Sequence, residues 1–393
     1  MVEVPTDVLA AEFPGTLDYR PAPVIKSAPD PAAVREVAKV LADAKRPLVY
    51  AGQGVHYARA WPQLRELAEL LEAPVTTSLQ GKSAFPENHP LSLGSGGRSY
   101  SGQLHHFLHQ ADVIFGIGCS FTSTGFGLTM PSGPVYIHAT LDPMDLNKDL
   151  RLDHGLAGDA ALTLDALLAE LKTLVPAPRG RRAEVVAEIE SHKAQWMDQW
   201  LPMLTSDETP LSPYRVIWDL MHTVDRDNTI ITHDAGSPRD QISPFWETTA
   251  PMSYIGWGKT TQLGYGLGLA MGAKLAHPDK LCVNVWGDAA IGFTGMDFET
   301  AARERIPILS ILLNNFSMAI ELKIMPVSTE KYRSTDISGH YADFAKALGC
   351  YGERITAPEE IVPAIRRGMQ KTQQGQPALL EFLTSKETRI STP

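Results

Sequence analysis

The stretch VWGDAAIGFTGMDFETAARERIPILSILLNNFSMAIE, at 285–321, is the part of the chain that decides the fold. It contains two short apolar runs that each end in polar residues: Asp288 follows the first, and Asn315 follows the second 27 residues later. This spacing accommodates a strand, a helix and a second parallel strand. Ligands of parallel sheets bind beyond the carboxyl ends of the strands, so both side chains are expected at one ligand site.

Apolar runs alternate with helical patterns along both halves of the chain. RPLVYAG and ADVIFGIG are predicted strands of the first half, and NTIITHDAG and PALLEFLTS are predicted strands of the second. Between the halves, VPAPRGRR interrupts the pattern, and a polar helix follows it. The length of 393 residues also indicates two or three domains. The predicted fold class is therefore α/β, with two doubly wound parallel-sheet domains.

Composition and charge exclude several classes of protein. A formal net charge of -10 opposes binding to nucleic acid or to an anionic membrane. The chain has no run of 18 apolar residues, and MVEVPTDVLAAEF does not resemble a signal peptide. Cys119, Cys282 and Cys350 lie in apolar runs without CxxC spacing, which disfavours a disulfide framework. These features predict a protein of a reducing, cytoplasmic compartment.

Asp288 and Asn315 together suit one kind of metal. A single carboxylate with neutral oxygens is a poor calcium cage, but it suits Mg²⁺, which completes its octahedral shell with water and substrate phosphate oxygens. The backbone carbonyl of Ser317 is a third candidate ligand. The competing interpretation makes Asp288 the N-cap of the following helix. The spacing to Asn315 favours a clamp for magnesium and a diphosphate.

The clamp is similar to the cofactor motif of enzymes that use thiamine diphosphate (ThDP, also called thiamine pyrophosphate). GDA at 287–289 followed by NN at 314–315 resembles the form found in acetohydroxyacid synthases. Upstream, TTQLGYGLGLAMG resembles a family segment in which a bulky apolar residue, here Leu263, lies 25 residues before the metal aspartate. The chain is identified as a member of the acetohydroxyacid synthase, 2-hydroxyacyl-CoA lyase and oxalyl-CoA decarboxylase group.

The resemblance implies a role for each motif residue. In the family, the residue at Leu263 holds the two cofactor rings in a V shape, and the backbone carbonyl at Thr261 accepts a hydrogen bond from the aminopyrimidine. Ala290 stands where a serine is frequent, so only its loop amide is available to the diphosphate. The implied cofactor contacts are Gly236, Ser237, Thr261, Leu263, Gly287, Asp288, Ala289, Ala290 and Asn315, and the implied metal ligands are Asp288, Asn315 and Ser317.

Glu321 lies six residues beyond Asn315 and is the residue most informative about the reaction. In the helix predicted after the clamp, its side chain would face the cofactor. Here the resemblance is to pyruvate and indolepyruvate decarboxylases, which carry a proton-transferring glutamate at this offset, whereas acetohydroxyacid synthases usually have an apolar residue there. Glu321 is therefore the candidate catalytic residue. The alternative is a glutamate on the solvent face of a helix.

The resemblance also implies an organisation in domains. MVEVPTDVL is a strand-like alternation similar to the last strand of the family's pyrimidine-binding domain, which supplies the glutamate that activates ThDP. The chain is expected to be a fragment, or one subunit of a split enzyme, that needs such a domain or partner and forms a homo- or hetero-oligomer. The expected units are 1–12 as a remnant of that domain, 13–175 as the middle domain, 176–205 as a linker and 206–393 as the ThDP- and Mg²⁺-binding domain.

The middle domain resembles the one that binds FAD in acetohydroxyacid synthases and ADP in oxalyl-CoA decarboxylases. AGQGV at 51–55, GIGCS at 116–120 and IHATLDP at 137–143 are its candidate contacts, with Asp142 placed to meet a ribose. Glycine turns occur at many strand ends of such sheets, so these signals are weak. FAD, ADP and an empty middle domain all stay open.

The function predicted from the sequence is ThDP- and Mg²⁺-dependent cleavage or formation of a carbon–carbon bond next to a carbonyl. The substrate would be a small 2-oxo or 2-hydroxyacyl compound, free or as a CoA thioester. Acetolactate synthase-like carboligation and lyase or decarboxylase chemistry both stay open. A non-catalytic ThDP-binding or regulatory subunit is the alternative from another class. A nicotinamide dehydrogenase is disfavoured, because the third glycine of its fingerprint would fall on Leu269 or Met271.

Overall fold

The computed structural model describes residues 2–256 and 262–393, which form two sheets of six strands each. Every neighbouring pair of named strands is parallel, and α-helices lie between most successive strands. The predicted α/β class with two doubly wound domains is thus confirmed. Thr261, the expected partner of the aminopyrimidine, lies outside the described residues. Within the described ranges, no helix is both long and apolar enough to cross a membrane.

The first sheet has the strand order β3-β2-β1-β4-β5-β6. Its strands are β1 (Pro47–Ala51), β2 (Val75–Ser78), β3 (Ser92–Gly96), β4 (Val113–Ile117), β5 (Val135–Thr140) and β6 (His154–Ala157). All residues of β1 and β4 are buried, as expected for the centre of a sheet that has helices on both faces. The chain builds outward in one direction from β1 and in the other from β4, so a crevice forms between their carboxyl ends.

The helices of this first half begin with a short one at the N-terminus. They are α1 (Thr6–Ala10), α2 (Pro31–Asp43), α3 (Gln53–Ala58), α4 (Trp61–Leu71), α5 (Gly102–Gln110), α6 (Ala160–Leu174) and α7 (Arg182–Leu204), of which α7 leads to the second domain. Helix α2 shows why they pack: Val34, Val37, Ala38 and Leu41 recur at helical spacing and form its buried face.

The first residues differ from the expected strand. Residues 2–25 are exposed, and the helix α1 lies where the alternation MVEVPTDVL predicts extended chain. A strand is stabilised by pairing, and this segment has no neighbouring strand within the described part of the chain. It reaches the middle domain at Lys26, whose ammonium lies 3.2 Å from the carboxylate of Asp159.

The second sheet has the strand order β11-β12-β10-β9-β7-β8. Its strands are β7 (Thr229–His233), β8 (Tyr254–Ile255), β9 (Leu281–Gly287), β10 (Leu309–Asn314), β11 (Tyr351–Ile355) and β12 (Ala378–Leu383). Its helices are α8 (Pro213–Thr223), α9 (Ser237–Ile242), α10 (Tyr265–Ala276), α11 (Asp288–Thr294), α12 (Asp297–Arg303), α13 (Pro326–Tyr332), α14 (Tyr341–Ala347) and α15 (Ile361–Gln373). Two apolar clusters cover the two faces of this sheet.

Helix α7 is the segment expected as a linker, and one of its faces is buried. Trp196 and Trp200 pack with Tyr214 of α8 and with Phe245 in an aromatic cluster. The rings of Trp196 and Phe245 are stacked, with 5.0 Å between their centroids. Because large aromatic side chains contribute much of the energy of an interface, this cluster fastens α7 to the second domain.

A buried ion pair joins the two domains. The ammonium of Lys82 lies 2.6 and 2.7 Å from the two carboxylate oxygens of Glu87, and the exposed fractions of these residues are 1% and 9%. One oxygen of Glu87 also accepts hydrogen bonds from the amide and the hydroxyl of Thr248, at 2.8 and 3.0 Å. Burial lowers the pKa of Lys82, and the charge of Glu87 opposes this shift.

We expect Glu87→Ala to lower the free energy of unfolding by about 3–5 kcal/mol, because Lys82 would stay buried without its counter-charge. Equilibrium unfolding in urea measures the change. Glu304→Ala is the control, since the ion pair of Glu304 with Arg303 is exposed and is expected to contribute about 1 kcal/mol or less. Equal losses in the two variants would contradict the role assigned to the buried pair.

Candidate functional site

Three adjacent strands of the second sheet bring the predicted residues to one edge. Strand β7 leads to Gly236, β9 leads to Asp288 and β10 leads to Asn315. Strand β9 lies between the other two, and all three are parallel, so their carboxyl ends meet at the same edge. The two motifs that end the apolar runs of 285–321 are therefore neighbours in space.

Asp288 is a buried carboxylate surrounded by backbone amides. It is 3% exposed, one oxygen accepts the amide of Ala289 at 2.9 Å, and the other accepts the amide of Ser317 at 3.0 Å. Burial raises the pKa of Asp288 to about 6, and the groups that oppose the shift are amides of Ser317, Ala289, Asn315 and Phe316. A carboxylate held in this way is stabilised further by a cation that binds beside it.

The turn after β10 presents two buried side-chain oxygen atoms. Phe316 has a φ of 55°, a left-handed conformation that bulky residues rarely adopt, and its amide donates to the side chain of Asn314 at 3.0 Å. The side-chain oxygens of Asn315 and Ser317 have no hydrogen-bond partner among the residues that the structure describes. The carbonyl of Ser317 accepts the amide of Ala319 at 2.9 Å, which leaves its second lone pair available. Buried oxygens of this kind call for a donor or a metal ion.

Glu381 supports this turn through the side chain of Asn314, and the sequence reasoning does not identify it. It is fully buried on β12, beside β10, and its carboxylate accepts the side-chain amide of Asn314 at 2.7 Å. It also accepts two bonds from Arg354, at 2.8 and 3.0 Å, and the amide of Ala342 at 2.9 Å. The available signal is a glutamate inside the apolar strand PALLEFLTS, where a charge needs partners.

Asp234 is a second buried anchor that sequence reasoning does not find. Its carboxylate accepts the amide of Ala235 at 2.9 Å, that of Gly264 at 2.9 and 3.1 Å, and that of Gly266 at 3.0 Å. Gly264 has a φ of 92°, and a Cβ there would lie 2.8 Å from a side chain of α11, so the position requires glycine. Asp234 thus ties β7 to the start of α10 and positions Leu263.

One cavity is lined by residues from all these segments. The predicted site residues on its wall are Gly236, Ser237, Leu263, Gly287, Asp288, Ala289, Ala290, Asn315, Ser317 and Glu321. Its volume is about 60 Å³, whereas pockets for small ligands typically measure about 300–1,000 Å³. The cavity beside Asp288 is therefore smaller than a typical pocket for a small ligand.

Glu321 lies in a 3₁₀ helix, Ala319–Lys323, that follows the turn after β10. The residue is half-buried and lines the same cavity as Leu263 and Asp288. This differs from the regular helix expected from the sequence, because the chain leaves the turn at Ser317 and Met318 in a tighter winding. The position meets the geometric condition for a residue that acts on a ligand in this cavity.

Comparison with protein families separates the chain into two matched regions. Residues 34–167 match the central domain of thiamine pyrophosphate enzymes, and residues 234–382 match their C-terminal thiamine pyrophosphate-binding domain. The chain belongs to the thiamine pyrophosphate enzyme family. The second match contains Asp234, Asp288 and Glu381, so the buried anchors lie in the region that matches the cofactor-binding domain.

Several curated relatives are similar to this chain over most of its length. A probable acetolactate synthase large subunit of Methanococcus aeolicus is 28% identical over 92% of this chain and 62% of its own length. One from Methanocaldococcus jannaschii is 29% identical over 97% of this chain and 66% of its own. The acetolactate synthase large subunit of Corynebacterium glutamicum is 29% identical over 99% of this chain and 63% of its own. The chain thus spans slightly less than two thirds of these relatives.

The wall fits the diphosphate end of the family's cofactor with its metal. Within the described part of the chain, the side-chain oxygens of Asn315 and Ser317 lack partners, and Asp288 lines the same cavity. Gly236 has a φ of 85°, which requires glycine, and the nearest atom to a Cβ built there is 3.9 Å away on Pro238. The backbone at Gly236 is therefore open to a ligand, as close approach of a phosphate requires.

We expect Glu381→Ala to lower the free energy of unfolding by about 3–5 kcal/mol, because Arg354 and the side chain of Asn314 would lose their shared buried partner. Urea unfolding measures the loss. Glu353→Ala, which removes the more exposed pair with Arg367, is the matched control on the adjacent strand and should cost about 1 kcal/mol or less. A cost for Glu381→Ala within the range of the control would contradict its role as an anchor.

Proposed function

We propose that this chain provides the diphosphate- and Mg²⁺-binding wall of a ThDP-dependent enzyme that forms or cleaves a carbon–carbon bond next to a carbonyl. The observation that carries the proposal is the buried carboxylate of Asp288, whose partners are backbone amides and which lies beside the unpaired oxygens of Asn315 and Ser317. The names of the relatives favour carboligation of the acetolactate synthase type, with a small 2-oxo acid as substrate.

In this proposal the clamp works through charge. Asp288, the side-chain oxygen of Asn315 and the carbonyl of Ser317 hold Mg²⁺, which neutralises the diphosphate. The amides at Gly236 and Ser237, where α9 begins, donate to the phosphate oxygens. The loop amides of residues 289–290 add further donors where the family often has a serine hydroxyl.

Two side chains act nearer to the reacting atoms. Leu263 is half-buried, packs against the core around α10 and presents its exposed part to the cavity, so it can wedge between the rings of a bound cofactor. Bound ThDP supplies an electron sink for the carbon–carbon bond that breaks or forms. Glu321, on the same wall, gives a proton to the substrate carbon or takes one from it.

The remaining wall of the site is proposed to come from a pyrimidine-binding domain in the same polypeptide or in a partner subunit. The small volume of about 60 Å³ next to the clamp supports this, because a cofactor with two rings needs a wider enclosure. Such a domain would supply the carboxylate that activates the aminopyrimidine. The oligomer that results would place the active site between domains.

We expect Asp288→Ala and Asn315→Ala each to weaken Mg²⁺-dependent binding of ThDP by about a hundredfold or more, since each removes a metal ligand. Titration calorimetry with ThDP, with and without Mg²⁺, measures the effect. Asp288→Ala should change the melting temperature little without metal, because the hydrogen bonds lost by the amides of Ala289 and Ser317 are offset by the removal of a buried charge.

Asp297→Ala is the control for the clamp, since this carboxylate is exposed on α12 and does not line the cavity. Its binding of ThDP should equal that of the unchanged chain. Retained Mg²⁺-dependent binding in both clamp variants would refute the assignment of the metal ligands.

We expect Glu321→Gln to reduce kcat for a 2-oxo acid by about a hundredfold or more and to leave the binding of ThDP unchanged, since Gln retains the shape but transfers no proton. Turnover of pyruvate by the assembled enzyme, followed as release of CO₂ and formation of acetolactate, provides the measurement. Glu330→Gln, on the exposed side of α13, is the matched control. An unchanged kcat in Glu321→Gln would show that Glu321 is a surface glutamate with no role in proton transfer.

A further inference from the structure

A large cavity of the middle domain is separate from the ThDP wall. Its volume is about 570 Å³, within the range of ligand pockets. The segments that line it follow β1, β2, β4, β5 and β6, so it occupies the crevice where the strand order changes direction. In open parallel sheets, this crevice is the place where ligands bind.

The rim and the floor of this cavity suit a flat ring. Val24, Ile25 and Tyr57 line it and are 91%, 89% and 78% exposed, so three apolar side chains beside the void have little cover from the protein. Inside, the rings of Tyr50 and Phe121 are stacked, with 5.6 Å between their centroids. A ring that enters the crevice would remove this apolar surface from water.

The charges that line the cavity are mainly negative. Among the described residues, its charged side chains are the carboxylates of Asp142, Asp145 and Asp159 and the ammonium of Lys26. The ammonium is already paired with Asp159 at 3.2 Å. Asp142 accepts the amide of Met144 at 2.9 Å and forms no ion pair within the described part of the chain. An anion in the crevice would therefore meet more negative than positive charge.

The amino end of α6, which borders this cavity, is also occupied by a carboxylate. Asp159 caps α6, and one of its oxygens accepts the amides of Ala161 and Leu162 at 3.1 and 3.3 Å. The amino end of a helix is the usual place for a phosphate in such a fold, because its amides are unpaired and its dipole is positive. Here Asp159 uses those amides, and its charge opposes a second anion.

Arg239 and Lys148 are cations of neighbouring segments that do not line the cavity. The guanidinium of Arg239 is 4.8 Å from the centre of the Phe126 ring, and its nitrogens donate to Asp240 at 2.8 and 3.1 Å. The ammonium of Lys148 lies 3.7 Å from Asp145, on its outer side. Each cation is matched by a carboxylate, so neither offsets the excess negative charge of the lining.

We propose that the middle-domain cavity binds a nucleoside-like ligand that carries no phosphate, with its ring against the aromatic floor and its hydroxyl groups donating to Asp142 and Asp145. Carboxylates accept hydrogen bonds from a sugar diol and repel a diphosphate. The charges therefore disagree with FAD and with ADP, two of the possibilities that the family resemblance leaves open. The proposal does not depend on the function of the ThDP wall.

The test compares adenosine, ADP and FAD as probes of the whole chain by titration calorimetry at fixed ionic strength. We expect adenosine to bind and ADP to bind about tenfold more weakly or worse, because the diphosphate adds negative charge beside three carboxylates. FAD should bind no more tightly than ADP. Equal or tighter binding of ADP or FAD, or the absence of binding by adenosine, would overturn the proposal.

Two variants test whether the preference for adenosine over ADP arises in the cavity. Asp145→Asn keeps an oxygen acceptor, and Asp145 has its ion pair with a lysine that is 49% exposed, so the fold should be retained with an unchanged melting temperature. This variant should narrow the ratio between the dissociation constants of ADP and adenosine about threefold or more. Asp165→Asn, on the exposed side of α6 and outside the lining, should leave the ratio unchanged. No change in Asp145→Asn, or an equal change in the control, would count against the proposal.

Discussion

A buried carboxylate, with no cationic side chain beside it among the described residues, is the constraint on which the second domain depends. Asp288 stays ionisable in this position because the loops after β9 and β10 direct backbone amides at it. Those loops need supports of their own, and Glu381 and Asp234 supply them from inside the sheet and from β7. The interior of the second domain thus contains a series of polar contacts that ends at Asp288, where a bound cation would be favoured.

The two sheets use the same architecture, and carboxylates line the crevice at the carboxyl edge of each. The second crevice has Asp288 and Glu321 beside the buried side-chain oxygens of Asn315 and Ser317, whereas the first has three carboxylates and a paired ammonium. Arg239 connects them physically: it belongs to α9, which begins beside the clamp, and it packs on Phe126 of the first cavity. The buried pair of Lys82 and Glu87 keeps the domains in register at the same interface.

Much of the fold follows from local patterns, and the anchors do not. Apolar runs that alternate with helical periodicity predict parallel sheets, and the 27-residue interval places Asp288 and Asn315 on successive strands. Glu381 lies 67 residues from Asn314 in sequence, and Asp234 lies 30 residues from Gly264, so no local spacing reveals these contacts. The N-terminal strand is predicted wrongly for a related reason, since an alternating pattern forms a strand only where a neighbour pairs with it.

The sequence by itself determined the alternation that builds both sheets and the position of Asp288 and Asn315 at the carboxyl ends of two strands. It also determined the glycines that let the backbone approach a ligand. These are properties of short segments, and steric and hydrophobic preferences act within such segments. Tertiary structure alone decided that Asp288 is buried, that Asn315 and Ser317 keep unpaired oxygens, and that carboxylates predominate in the first crevice. Burial and local charge are sums over segments far apart in the chain, so they exist only once the strands have assembled.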